Sequence, residues 1–293
     1  MPFLSALLLL LGAIDVPDSD LPQSTSADVA VVPIIEGTWA AYERGPSRLQ
    51  LSVRRGGRGL WSDGVDLDAF EGLTDDDLRA GRAEPVAFVL KRPAGRFEFA
   101  GTMQEGRGTG EFRFTPERSF ASALRTVGVS GTDRITDLDL YEFALNGATA
   151  EAAHGFLSEG LVALSVDDLK SLVVHDVTPA YVRDLRAEGV AVQTGPEAVE
   201  AHVHDVTPAY VRALRAVGYE ALSLSELVSL QVHDVEPGWV RRLQELGYRG
   251  LTVRQLVSFR VHDVTPSFIR AANAGGRRTT PDELVSRRVH DAD

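Results

Sequence analysis

Apolar and polar positions along the chain change period once, near Pro116. From Glu36 to about Pro116 they alternate as in half-buried strands, over residues 38–42, 48–54, 59–62, 86–90, 96–100 and 110–114. Phe97-Glu98-Phe99 and Phe112-Arg113-Phe114 show the alternation best, one face apolar and the other charged. Gly-rich connections at Arg55–Gly59, Pro93–Gly95 and Glu105–Gly108 read as hairpin turns. Thr74 is placed to cap a short helix with an acidic first turn. The prediction is a small antiparallel sheet or open barrel with one inserted helix.

Beyond Pro116 the period is helical, and it repeats. His175-Asp176, His204-Asp205, His233-Asp234 and His262-Asp263 follow one another at 29-residue intervals, and His290-Asp291 comes 28 later. A fixed spacing of this size marks stacked structural repeats. Each unit predicts two short helices. In the first, Thr207 caps, Pro208 takes the first helical position, Tyr210, Val211, Leu214 and Val217 share a face, and Gly218 ends the helix. In the second, Ser223-Leu224-Ser225-Glu226 is a capping box and Leu227, Val228 and Leu230 form the apolar face. Such helices are too short to stand alone, so stacking must bury them. Degraded copies run back through Asn146–Leu169 and through Thr115–Leu140, giving about six units with an atypical first one, on which the sheet should dock. The fold class is therefore α+β. Residues 31–116 form the small β domain, and residues 117–293 a helical array with a 29-residue period.

The first residues change the picture of location. Pro2 to Ile14 is an apolar run too short to span a bilayer, and residues 1–30 read as a signal peptide and linker. A buried N-terminal helix or strand is the alternative. The expected location is exported, periplasmic or cell-envelope, with no membrane span in the mature chain. A net charge of −12 disfavours nucleic acid as a partner, and the absence of Cys excludes disulfides and thiolate metal sites.

Candidate chemistry is sparse. The glycines at 56–59 and 106–110 lie between strands and lack the Gly-Lys-Ser/Thr ending of a phosphate loop. Asp63-Gly64-Val65-Asp66-Leu67-Asp68 lacks the distal Glu of a calcium loop. The four His-Asp marks, residues 175–176, 204–205, 233–234 and 262–263, could suggest metal sites. Stacked repeats hold equivalent residues about 10 Å apart, too far for one ion to bridge. They are read instead as a structural ladder. Arg183, Arg212, Arg241 and Arg270 each lie seven residues after the Asp of their own unit, and the unit with Gly147 in place of Asp has His154 in place of Arg. That joint loss suggests an Asp–Arg pair within each unit, and then Asp205→Asn should destabilise the fold. The same arginines, extended by Arg186 and Arg215, are the candidate partner-binding residues, with a solvated helix face as the alternative. No catalytic set, metal site or cofactor site is expected.

The units, with their His-Asp-Val-Thr-Pro start, Gly-Tyr turn and Leu-Ser-x-x-Glu-Leu-Val helix (residues 222–228), resemble helical repeats in exported segments of bacterial membrane metallopeptidases of the antirepressor, beta-lactam-sensor type, and in related envelope proteins. There they often stand beside a small sheet domain like that from Gly37-Thr38-Trp39 onward. The resemblance covers about residues 36–293. Two departures matter: Asp stands where those repeats usually carry Gly, and the peptidase portion with its zinc motif is missing. The resemblance therefore implies an envelope-facing sensing or interaction module without peptidase activity. The expected function is a non-enzymatic module that binds a protein or peptide through the repeats. The alternatives are a small-ligand binder using the sheet near Trp39, Trp61 and Phe88, or a metal-dependent hydrolase using the His-Asp marks. The partner's identity and the oligomeric state are not legible.

Overall fold

A computed structural model describes residues 35–56 and 58–290. The signal-peptide and linker reading of residues 1–30 lies outside them. Seven strands form one antiparallel sheet: β1 (Ile35–Glu43), β2 (Arg48–Arg55), β3 (Arg58–Asp66), β4 (Phe70–Glu71), β5 (Glu84–Arg92), β6 (Gly95–Gln104) and β7 (Arg107–Pro116). Their order is β3-β2-β1-β7-β6-β5-β4, an open half-barrel whose edges are β3 and β4. The inserted helix α1 (Asp75–Arg79) starts at Thr74, whose hydroxyl accepts from the Asp77 amide while the Asp77 carboxylate accepts from Thr74.

The alternating side chains put an aromatic core on the inner face. Trp39 meets Phe88 edge-to-face at 5.1 Å, and Phe88 stacks on Phe99 at 4.8 Å. Such pairs add about 1 kcal/mol each beyond burial. Trp39 fits because glycine faces it. A Cβ at Gly110 would lie 2.0 Å from the Ala100 carbonyl oxygen and 2.7 Å from the indole nitrogen of Trp39.

Among the described residues, twelve α-helices follow. They pair as α2 (Ser119–Thr126) with α3 (Asp137–Leu145), α4 (Ala150–Ser158) with α5 (Val166–Val174), α6 (Pro179–Ala187) with α7 (Gly195–Val203), α8 (Pro208–Arg215) with α9 (Leu224–Val232), α10 (Pro237–Glu245) with α11 (Val253–Val261), and α12 (Pro266–Ala272) with α13 (Pro281–His290). First helices stack on first helices and second on second, so the array has two layers. Among the described residues no helix exceeds ten residues, which is below the length at which a helix is stable alone in water. Each depends on its neighbours' apolar faces, and Leu185, Leu214 and Leu243 are fully buried at equivalent places.

The caps recur with the repeat. Thr136, Ser165, Thr194, Ser223 and Thr252 each form a reciprocal capping box at the start of a second helix. Thr178, Thr207 and Thr265 cap first helices that begin with Pro. The first unit differs from expectation: Thr115-Pro116 completes β7, and α2 begins at Ser119 with no side-chain cap. The sheet's hydrogen bonding claims those two residues before a helix can.

The sheet docks on the first unit through Tyr141 of α3, whose ring lies 5.4–6.2 Å from Phe97, Phe112 and Phe114. Burial pushes the Tyr141 hydroxyl up to about 12. Trp61 on β3 donates to the Asn146 side-chain oxygen at 3.2 Å and ties the sheet's edge to the end of α3.

Two substitutions check this account by urea denaturation. Ser223→Ala removes one capping box and should cost about 1 kcal/mol. Gly110→Ala forces a Cβ into backbone and indole and should cost about 3 kcal/mol.

Candidate interaction surface

The His-Asp marks are helix ends. His175, His204, His233 and His262 are the C-cap residues of α5, α7, α9 and α11. The Asp that follows each adopts the left-handed conformation, with φ of 54° at Asp176, 53° at Asp205, and 51° at Asp234 and Asp263. Two backbone bonds close each turn. At the end of α7 the Asp205 amide donates to the His202 carbonyl and the Val206 amide to the Ala201 carbonyl. This is the double closure of a left-handed C-cap, with its apolar contact supplied by the buried Val206. In the first unit Gly147 holds the same turn at φ 66°.

The expected Asp–Arg pairing within a unit is corrected by this geometry. Among the described residues, no ion pair joins Asp176 to Arg183, Asp205 to Arg212, Asp234 to Arg241 or Asp263 to Arg270. Arg183 pairs with its neighbour Asp184 at 2.9 Å, while Arg212 and Arg215 clasp Glu188 at 2.6 and 3.0 Å. The Thr hydroxyl already caps the following helix, and the left-handed turn leaves the Asp carboxylate exposed. The joint change to Gly147 and His154 thus reflects a backbone requirement at one position and not a lost pair.

Two members of the arginine row, Arg212 and Arg215, are committed to stacking. Glu188 is the C-cap of α6, and Arg215 of α8 donates to both its carboxylate and its carbonyl oxygen. Gln244, at the position equivalent to Arg215, donates to the Val217 carbonyl at 2.7 Å. Arg186 donates to the Val192 carbonyl at 2.7 Å within its own unit. Bonds from Arg212 above all, then from Arg215, hold the Glu188 carboxyl below its usual range. Arg241 and Arg270 are exposed and make no ion pair among the described residues.

A second cross-repeat row escaped the sequence reading. Gln231 of α9 donates to the Asp205 carbonyl, Arg260 of α11 to the His233 and Asp234 carbonyls, and Arg288 of α13 pairs with the Asp263 carboxylate. Each reaches back to the loop ending the preceding second helix, where carbonyls lack helical partners. Aromatic residues of the first helices lie under the same row: Arg260 over Trp239 at 5.2 Å, Arg288 over Phe268 at 5.5 Å, and His202 edge-on to Tyr181 at 5.0 Å. Tyr181 and Tyr210 donate to the Val206 and Val235 carbonyls, each at 2.8 Å. The residue types differ at each copy, so no motif betrays the row; only its spacing does.

Beside these loops runs an exposed apolar row. Val174, Val203, Val232, Val261 and Val289 occupy equivalent places at the ends of the second helices and are 55, 51, 54, 59 and 44% exposed. Their spacing is the repeat itself, which was legible in the sequence; their exposure was not, because helical periodicity assigns valines to the core. The row runs into a cavity of about 320 Å³ where the sheet meets the array, lined by Leu60, Trp61, Leu138, Leu145 and Val174 among others. Trp39 and Phe88, expected near a ligand, are instead 3% and 2% exposed in the sheet's core. Among the described residues, no group of three or more His, Asp or Glu is placed to hold a metal, and no helix is long and apolar enough to cross a membrane. Comparison of the chain with protein-family models, curated proteins and solved structures returned no match.

Stability measurements test the turn geometry. Asp205→Gly should raise stability by about 1 kcal/mol, since glycine adopts positive φ without steric cost. Asp205→Asn should stay within about 0.5 kcal/mol of wild type, because Asn tolerates the same region. The Glu188 clasp adds a pH dependence. A carboxyl whose folded pKa is depressed stabilises above its unfolded value and loses that contribution as pH falls through the folded one. Glu188→Gln should therefore lower the melting temperature at neutral pH, with the difference fading below the ordinary carboxylate range.

Proposed function

We propose that the chain is a non-enzymatic interaction module of the bacterial envelope that binds a protein or peptide through its helical repeats. The observation that carries this reading is the row of five equivalent valines left exposed beside the repeat loops. A soluble surface scatters its apolar side chains singly; a periodic line of them is what a docking surface presents. Repeat arrays offer such extended faces because each unit adds one equivalent contact. The resemblance to repeats in exported segments of sensor-type metallopeptidases supports the location, as does the apolar run at residues 2–14. The arginine row is a weaker candidate surface, since four of its six members already bind within the array. The junction cavity supports a second reading, a small apolar ligand held between Trp61 and Val174, at the lower end of ligand-pocket size.

The test is panning of a random-peptide display library on the full chain, followed by binding measurements on the double variant Val203→Ser/Val232→Ser. Both positions are exposed, so the fold should be kept. Enriched peptides should bind the variant at least tenfold more weakly. Enriched peptides that bind wild type and variant equally would remove the valine row from the reading, and Arg241→Ala/Arg270→Ala would then be the pair to compare.

A further inference from the structure

We propose that the segment docking on the valine row is cationic and extended, with an apolar residue at every third position, and that it lies along the second, third and fourth units between Val174 and Val232. This deepens the interaction reading and rests on it.

The first argument is charge beside the apolar line. Two residues after each of Val174, Val203 and Val232 stands an exposed Asp, at 176, 205 and 234, making no ion pair among the described residues. The next copy, Asp263, is already paired with Arg288. Three successive units therefore present the same couple, an apolar side chain and an exposed carboxylate outside any ion pair, with Arg260 on the Asp234 backbone carbonyl marking the start of the cationic end. The fourth couple is closed by the array's own cation.

The second argument is the charge of the array as a whole. Residues 117–236 hold nineteen Asp and Glu against eight Lys and Arg. Residues 237–290 hold ten Arg against four Asp and Glu. A cationic segment is drawn to the middle units and repelled at the last two, so its extent is set where the free Asp row ends.

The third argument is spacing. Packed helices lie about 8–10 Å apart, which sets the distance from one valine to the next. Three residues of an extended left-handed polyproline-type chain advance about 9 Å and bring the side chain back to the same face. Such a segment places one apolar residue per unit and leaves one position in three for a Lys or Arg toward the Asp row. Its end nearest the sheet reaches the cavity lined by Leu60 and Leu138.

The backbone agrees. Asp is held at positive φ in four successive units, where Gly147 shows that glycine serves the turn equally well. Asp is one of the few residues besides glycine that this turn admits, so the turn permits the carboxylate without requiring it.

The test uses the full chain and three labelled nonapeptides, (Val-Lys-Pro)₃, (Val-Glu-Pro)₃ and (Ser-Lys-Pro)₃, followed by fluorescence anisotropy. The first should bind, more weakly as salt rises, and the other two at least tenfold more weakly. Asp205→Asn/Asp234→Asn and Val203→Ser/Val232→Ser should each weaken the first probe at least tenfold. Asp205→Gly/Asp234→Gly should weaken it equally while the melting temperature holds or rises, which separates a binding role from a folding role. Equal or better binding of the Glu probe, unchanged binding by the Asn variant, or no binding of the Lys probe would each overturn the assignment. If display-selected peptides bind through Val203 and Val232 while the Lys probe does not, the interaction reading stands and this assignment falls. A dimer in sedimentation that Val203→Ser/Val232→Ser dissolves would give the face to a second copy instead.

Discussion

The array depends on one constraint: a helix of about nine residues must be stopped, turned and handed to its neighbour without leaving its last carbonyls bare. Each turn is made by one residue in the left-handed region. At the ends of the first helices it is glycine, at 128, 160, 189, 218, 247 and 276. At the ends of the second helices it is Gly147 once and Asp four times. The closure places the next residue, a buried Val or its equivalent, into the core, and the Thr-Pro that follows restarts the chain as a helix. Period, layer and register all follow from where these turns fall.

Closing the turns still leaves polar groups on the loops, and the array satisfies them from the adjacent unit. Long side chains, Arg215, Gln244, Gln231 and Arg260, reach back across a repeat boundary to loop carbonyls. Cations at a helix C-terminus also meet the negative end of its dipole. Exposed ion pairs are individually weak, so their contribution is one of register: they fix which face of one unit meets which face of the next. Arg212 and Arg215, which look like part of a basic stripe in the sequence, are thereby spent inside the array, and the surface left over is apolar and acidic in the middle units.

Most of the fold was legible because it is written in residues with few alternatives. Pro at a first helical position, Ser or Thr before Glu or Asp three residues on, and Gly at the ends of the first helices are local signals that the tertiary structure overrides only at Thr115-Pro116, which β7 takes. The short strand at Phe70–Glu71 was missed because two residues carry no period. The ladder was misread for a different reason. Asp and Arg recurring seven apart look like partners, yet a constant spacing within a repeat is shared by every pair of positions and says nothing about contact. The αL role of Asp is invisible to a rule that reserves positive φ for glycine, although Gly147 at the same place in the first unit was the signal that could have exposed it. The valine row is hidden by the converse problem, since a face that stacking leaves open has the same composition as one that stacking closes.

Exposure at one valine would mean little. Exposure at five equivalent valines means that the array has a direction in which nothing of its own packs, repeated at the spacing of its units. A globular partner would touch such a line at one or two points and gain nothing from the repetition. A linear partner gains one contact per unit, and its affinity grows with the number of units it crosses while each contact stays weak. On the proposed reading, that arithmetic would also explain why the surface is so plain: a valine and an aspartate per unit carry little information alone, and selectivity would come from matching their period. On the same reading, the change of sign in the array's charge would limit how far such a partner extends, because the units that continue the valine row past Val232 surround it with arginine. In a fold built by repetition, the place where the repetition stops being exact is where the length of a ligand can be specified.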